Sequence, residues 1–227
     1  MTTSSSDFFL RLLSLPLFQG LGRREYVEMA ERVSFACRKE SAGTILICQD
    51  EPCRSLIFVL SGDIIVSCHD DRHGYVLSEQ LHAPQVLQPD SLFGLNTTYT
   101  RTFTAETEVE VLEIEKSAVR DTLFDYTIFR FNYLNLLSHN LQQAHRSRWR
   151  SLPLDLRHRF VRFLSDRCYR PAGRKELRIK MTQLARELDA TRLNVSRMLS
   201  DLQAQGMVQL RRERIIIPSF QDLLRMR

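Results

Sequence analysis

No apolar run in this chain is long enough to cross a bilayer; the longest, such as Leu56 to Leu60, fall far short of the ~20 residues that a spanning helix needs. Met1 to Asp7 is polar and uncharged apart from Asp7, and no cleavage pattern follows the short apolar stretch after it. No secretory signal and no membrane partner are expected, and the expected location is cytoplasmic. Cysteine is sparse, odd in number and scattered (Cys37, Cys48, Cys53, Cys68 and Cys168), which argues against a disulfide framework and for free thiols. There is no nucleophile elbow, P-loop, dinucleotide fingerprint or metal-ligand spacing, so an enzyme is not expected. Internal repeats and low-complexity segments are absent as well.

What the chain does have is a lopsided charge. The net charge of +5 divides into 20 Lys+Arg against 8 Asp+Glu from Arg146 to Arg227, and 12 against 19 from Met1 to His145. The last third attracts a polyanion and the rest repels one. Most of its cations are Arg, whose fork suits phosphate and guanine edges better than a Lys ammonium does.

The length of 227 residues fits two domains. Asp7 to Leu21 holds a short amphipathic pattern interrupted by Pro16 and Gly20. From Val33 to Ile114, short alternating runs such as SLIFVLSGDIIVSC and TFTAETEVEVLEI predict an all-β roll or barrel, with SGD and DRHG as tight turns. From Lys116 to about Trp149 there is no Pro or Gly. Leu134, Leu137, Leu141 and Ala144 there step by 3, 4 and 3, the seam of a helix that pairs with another helix. That spacing predicts a long dimerisation helix, which Pro153 ends before a further helix over Leu154 to Tyr169.

After strand-like LRIK comes a short helix, a tight turn at Asp189-Ala190, and Thr191 as an N-cap residue. The second helix runs to about Gln205, with Gly206 as its left-handed stop. MVQL, RRER and IIIP then read as two strands and a basic turn, completing a winged helix-turn-helix. At 100° per residue, Val195, Met198, Leu199 and Leu202 share one face of the second helix. Arg192, Leu193, Ser196 and Arg197 share the other, with Asn194 at its edge. Arg reads guanine, Asn reads adenine, Ser bonds phosphate or base, and Leu193 suits a thymine methyl group. Arg211, Arg212 and Arg214 stand where a wing meets phosphates.

These residues resemble the Crp/Fnr family of bacterial transcription regulators along nearly the whole chain. Thr191, Arg192, Val195 and Arg197 match the Ser/Thr-Arg-x-x-Val-x-Arg run that opens the family's recognition helix. LIFVLSGDIIV resembles its first roll hairpin, and AETEVEVLEI the strand that closes the roll. The resemblance implies an α+β chain of three parts. These are a cyclic-nucleotide-binding-like β-roll (jelly roll) sensor over 1–115, a dimerisation helix over 116–149, and a winged helix-turn-helix over 150–227. It further implies a homodimer on an inverted-repeat double-stranded operator, with RNA polymerase a candidate partner.

Two departures qualify the resemblance. Members that bind cyclic nucleotides carry Phe-Gly-Glu-Leu, a short helix, then Arg-Ser/Thr-Ala; the Glu holds the ribose and the Arg neutralises the phosphate. Here Phe93 and Gly94 are kept, Leu95 replaces the Glu, and Tyr99 falls where the Arg belongs. Arg101 lies two residues away and is expected on the other face of the strand. Cyclic AMP is therefore not the expected effector, since a buried phosphate without a cation costs several kcal/mol. The second departure is Leu193, where many members have Glu for cytosine. Phe93, Gly94, Leu95, Tyr99 and Arg101, with Leu141 and His145 of the long helix, form the expected effector pocket. The alternatives are a haem sensor using His145, a redox sensor using Cys48 and Cys53, or a small-molecule module that touches DNA only indirectly. Met1 to Leu21 has no Cys for an iron–sulfur cluster, and His69 and His73 read as flanking a solvated turn.

Overall fold

The alternation between Val33 and Ile114 resolves into short antiparallel strands in a computed structural model, which describes residues 3–70, 74–148 and 155–225. His73, Trp149 and Pro153 lie outside the described residues. The chain begins with helices α1 (Thr3–Leu13) and α2 (Arg23–Arg32). Strands β1 (Ala36–Glu40), β2 (Ile45–Ile47), β3 (Ser55–Ser61), β4 (Asp63–Asp70), β5 (Tyr75–His82) and β6 (Gln85–Leu87) follow. A single 3-10 turn, Pro89–Ser91, separates these from β7 (Thr102–Ala105) and β8 (Val109–Glu115). Then come α3 (Lys116–Asp121), a 3-10 turn at Leu123–Asp125, and α4 (Thr127–Arg148). The remainder is α5 (Leu156–Ser165), β9 (Lys175–Arg178), α6 (Met181–Glu187), α7 (Arg192–Ala204), β10 (Gln209–Arg211), β11 (Arg214–Ile217) and α8 (Phe220–Arg225).

The long helix is shorter than its composition predicts. With no Pro or Gly to stop it, a continuous helix from Lys116 is expected, but the chain leaves helical geometry at Thr122 and turns extended at Tyr126. Val119, Leu123, Tyr126 and Phe129, on both sides of the break, are all buried, and α4 begins at Thr127.

The contacts divide the chain into two compact units: Met1–Ile64 with His82–Gln143, and Ile65–Leu81 with Ala144–Arg227. In the first, β1, β8, β3 and β6 form one antiparallel sheet in that order, with Phe58 opposite Leu112 and Val59 opposite Val111. β2 pairs with β7. Phe18 closes this core, its ring 5.5 Å from Phe58 and 5.1 Å from Phe129 of α4. Burial of each such ring stabilises the unit by about 1.5–3 kcal/mol. Asn132 Nδ2 donates to the carbonyls of Leu17 (3.2 Å) and Gln19 (2.8 Å), holding the start of α4 to the N-terminal segment.

In the second unit β10, β11, β9 and β5 are successive neighbours in one antiparallel sheet. Its apolar cluster joins Phe160, Phe163 and Leu164 of α5 to Leu184 of α6 and to Val195, Leu199 and Leu202 of α7. Among the described residues no helix is long and apolar enough to cross a membrane.

Candidate nucleic-acid interface

The candidate surface is built on a short helix–turn–helix whose turn is pinned from outside. Asp189 takes a left-handed backbone, φ 46°, between α6 and α7. Arg159 of α5 donates from Nη1 to the carbonyls of both Leu188 and Asp189, each at 2.8 Å, which fixes the angle at which α7 leaves the turn. No sequence pattern pointed to Arg159; it reads there as one more cation of a basic segment. Thr191 caps α7, its Oγ1 accepting from Asn194 N at 3.2 Å. Gly206, φ 73°, ends the passage in the left-handed conformation expected of it.

Along α7, Val195, Met198, Leu199 and Leu202 are buried, whereas Thr191, Arg192, Leu193, Asn194, Ser196 and Arg197 are exposed. Leu193 is 58% exposed, so no packing inside its own unit accounts for it. The wing turn is tighter than the RRER reading implies. Arg211 pairs with Arg214 across β10 and β11, and only Arg212 and Glu213 form the turn, Glu213 at φ 56°. Arg214 is partly engaged, 3.5 Å from a Glu176 carboxylate. Arg192, Arg197, Arg211 and Arg212 are exposed and, among the described residues, form no ion pair.

Several other cations of the basic third are spent on structure. Arg167 Nε donates to Tyr75 Oη at 2.6 Å, its guanidinium stacks 4.1 Å from the Phe163 ring centroid, and Nη2 reaches Glu187 at 3.1 Å. Lys175 is wholly buried. Asn194 and Arg197 also border an open cleft of about 660 Å³ with Asp155, Arg157, His158 and Asp201. The two carboxylates there are balanced by the guanidinium groups of Arg157 and Arg197.

The residues of the expected effector pocket take different surroundings. Phe93 packs its ring 5.5 Å from Phe124 and 6.1 Å from Tyr133, under the Lys116 ammonium at 5.3 Å. Gly94 is left-handed, φ 110°, and Leu95 is fully exposed, so the residue in the ribose-binding position points to solvent. Tyr99 turns inward, and its hydroxyl donates to the Ser55 carbonyl at 3.2 Å; burial pushes its phenol up. Arg101 corrects the strand-face reading. It lies in a bend just before β7 rather than in a strand, and is itself half-buried rather than turned away. Leu141 and His145 are exposed on α4, and Leu141 lies about 12 Å along the helix from Tyr133.

Against the pattern of the members that bind cyclic nucleotides, the carboxylate is missing, Leu95 faces outward and Tyr99 stands where the sequence pattern has the cation, with half-buried Arg101 two residues on. Burial raises the Cys53 thiol, and burial together with Glu110 raises Cys37, which lowers the thiolate fraction at both. Cys48 is half-buried, Cys53 buried, and all five cysteines are free.

The helical seam is also redrawn. Leu134 and Leu141 are 50% and 57% exposed, as a pairing surface requires, and Ala144 is exposed. Leu137 is half-buried, and Phe131, 56% exposed, takes a place beside Leu134 that the spacing did not assign to it.

Two sequence families match this chain. Residues 37–126 match the cyclic nucleotide-binding domain, and residues 158–226 match the Crp-like helix-turn-helix domain. Among solved structures, the sensor domain of the transcriptional regulator DNR from Pseudomonas aeruginosa is 20% identical with a TM-score of 0.54. That match covers 66% of this chain and 99% of the other, and it shows a shared fold. The catabolite activator protein of Thermus thermophilus is 19% identical over 92% of this chain and 96% of its own, with a TM-score of 0.49. No curated protein matches the chain by sequence.

Proposed function

The chain belongs to the Crp/Fnr family of transcription regulators, and from that premise we propose that it binds an inverted-repeat operator as a homodimer under an effector other than cyclic AMP. The proposal keeps the division into a sensor over 1–115, a dimerisation helix over 116–149 and a reader over 150–227. A cytoplasmic location and a non-enzymatic role go with it, and an activating mode adds RNA polymerase as a partner.

One observation carries the reading: the α7 face opposite its buried side is a continuous exposed row of Arg192, Leu193, Ser196 and Arg197, with Asn194 at its edge. Arg192 and Arg197 serve guanine or phosphate, Asn194 and Ser196 serve bases or phosphate, and Leu193 packs on a thymine methyl. Thr191 holds the first turn, and the wing cations Arg211, Arg212 and Arg214 hold the duplex backbone. Two such helices related by a two-fold axis read half-sites about one helical turn apart.

Selection of binding sites from random duplexes is the test. The wild-type protein is expected to recover an inverted repeat. Leu193→Glu is expected to shift one symmetric position toward a cytosine-bearing pair; an unchanged site would mean that Leu193 does not read DNA. If Arg197 makes a bidentate guanine contact, Arg197→Ala costs about 1–3 kcal/mol and relaxes one base pair. The pair Arg211→Ala and Arg212→Ala instead weakens all sequences alike and flattens the salt dependence.

Cyclic AMP and cyclic GMP are expected to give no heat in titration calorimetry at physiological concentrations. Micromolar binding of either would overturn the effector part of the proposal. We assign no role to haem, because His145 is exposed on α4 and a haem needs an apolar wall around its axial ligand.

A further inference from the structure

The loop between Leu92 and Thr100 holds Leu95 out in solvent, and both of its limbs are pinned. Leu92 and Tyr99, near its two ends, are buried. The Thr97 carbonyl accepts from Cys53 N at 2.7 Å, and the Thr98 carbonyl from Ser91 Oγ at 2.9 Å. Gln88 is buried beneath, its Nε2 donating to Ser91 Oγ at 2.7 Å and to Thr100 Oγ1 at 3.0 Å, which ties one limb to the other. At the tip, Asn96 Oδ1 accepts from Thr98 Oγ1 at 2.8 Å. Gly94 turns the chain outward at φ 110°, and a Cβ there would meet nothing within 4 Å. Among the described residues no large apolar side chain is more exposed than Leu95.

The root of this loop lies against α4. The Phe93 ring is 6.1 Å from that of Tyr133 on α4 and 5.5 Å from that of Phe124. Two residues on, the Leu95 Cα lies within about 7 Å of the Phe93 Cα. Next to Tyr133 along α4 stand Phe131, Leu134 and Leu141, each at least half exposed and all in the same compact unit as the loop. A single exposed leucine is ordinary, but one held rigidly beside an apolar helix ridge extends a patch of the kind that marks association. Charge points the same way. Neither Ser91 to Thr100 nor Phe131 to His145 contains an Asp, Glu, Lys or Arg, in a chain where such residues make up 26%. A charged partner finds nothing to pair with on either stretch, whereas the centre of a protein interface is depleted of charge.

We propose that Leu95 is a self-association knob: it packs on α4 of a second copy of this chain, so that the roll adds to the dimer contact made by the helix. The proposal rests on the homodimer reading, in which the α4 ridge pairs with itself. The chain's own α4 is not the occupant, because Leu95 is fully exposed within its protomer. A helix packed on the ridge has its axis about 8–10 Å from that of α4 and is about 10–12 Å across with its side chains, which brings its flank level with the loop. Two-fold symmetry makes the contact twice, once from each copy.

The experiment uses the full chain. By sedimentation equilibrium, Leu95→Ser is expected to weaken dimerisation about tenfold or more, because an apolar side chain covered twice per dimer is lost. Leu95→Met, which keeps the apolar volume, is expected to stay within about threefold of wild type. Both variants should keep the circular dichroism of the folded chain, since Leu95 is covered by nothing in its own protomer. The contact itself is read with p-benzoylphenylalanine in place of Leu95. Irradiation should give a species of twice the chain mass, with the adduct mapped by mass spectrometry to residues 127–143 of the other copy. Wild-type dimer affinity in Leu95→Ser, or adducts confined to one chain or running from loop to loop, would overturn the proposal. A dimer broken by Glu at Leu134 and Leu141 yet indifferent to Leu95→Ser removes the knob and leaves the helix pairing standing. A wild-type protein that is monomeric at micromolar concentration removes both.

Discussion

Glu at both Leu134 and Leu141 is expected to turn the protein into a monomer that no longer holds its operator. Phe131, Leu134 and Leu141 fall within roughly 80° of one another around α4 at 100° per residue. All three are at least half exposed, while Phe129 and Tyr133 on the other side are buried in the first unit. An apolar ridge of that kind fits a second copy of the same helix. Each leucine, already about half covered, gains about half of the 1.5–3 kcal/mol of full burial when a dimer covers it. Two positions on each of two protomers therefore supply about 3–6 kcal/mol, roughly a 10²- to 10⁴-fold change in dissociation constant. Introduced carboxylates facing their own symmetry mates add repulsion. Sedimentation should show a single monomeric species, with the circular dichroism of the folded chain kept, because Phe129 and Tyr133 are untouched. One recognition helix alone reads half a site, so operator binding falls with the dimer. An unchanged dimer would remove the pairing role from this face. Leu137, half-buried, is the poorer position for this test, since its substitution would disturb the protomer as well.

The second large effect concerns the fold of the sensor. Gly62 turns β3 into β4 with φ 91°, and its carbonyl accepts from Ala83 N at 3.0 Å. A Cβ there would collide with the Glu108 carbonyl oxygen and stand 2.9 Å from Val109 Cγ1. The obstacle is backbone, which no rotamer change relieves. Gly62→Ala is expected to cost about 2–4 kcal/mol, combining the left-handed penalty with overpacking. At about 2–4 °C per kcal/mol, the melting transition of the first unit should fall by roughly 4–16 °C. Gly43, also left-handed at φ 88°, has nothing within 4 Å of the same position. Gly43→Ala is the control, with only the conformational part of the loss. Equal melting temperatures for the two variants would show that the turn gives way.

The exposed face of α7 was legible in the sequence, because a helix phase is local. Once Thr191 caps the first turn and Gly206 ends the last, the spacing of Val195, Met198, Leu199 and Leu202 orients every other side chain. The tight turn at Asp189-Ala190 and the two wing strands were legible for the same reason. The strands of the roll showed in their alternation, but not their partners. Three things were settled only by tertiary structure. The helix predicted from Lys116 is interrupted between Thr122 and Tyr126, in a stretch with no breaker in it. Arg159, Arg167 and Lys175 count as free charge in a composition, and the fold consumes them in a turn, a ring stack and a buried pair. Tyr75, Leu77 and Glu79 alternate as any roll strand does, and nothing in that alternation says that β5 pairs with β9, a strand about a hundred residues away. Side-chain period is a property of neighbours along the chain, whereas strand partnership depends on which distant edge can satisfy its hydrogen bonds and cover its apolar face.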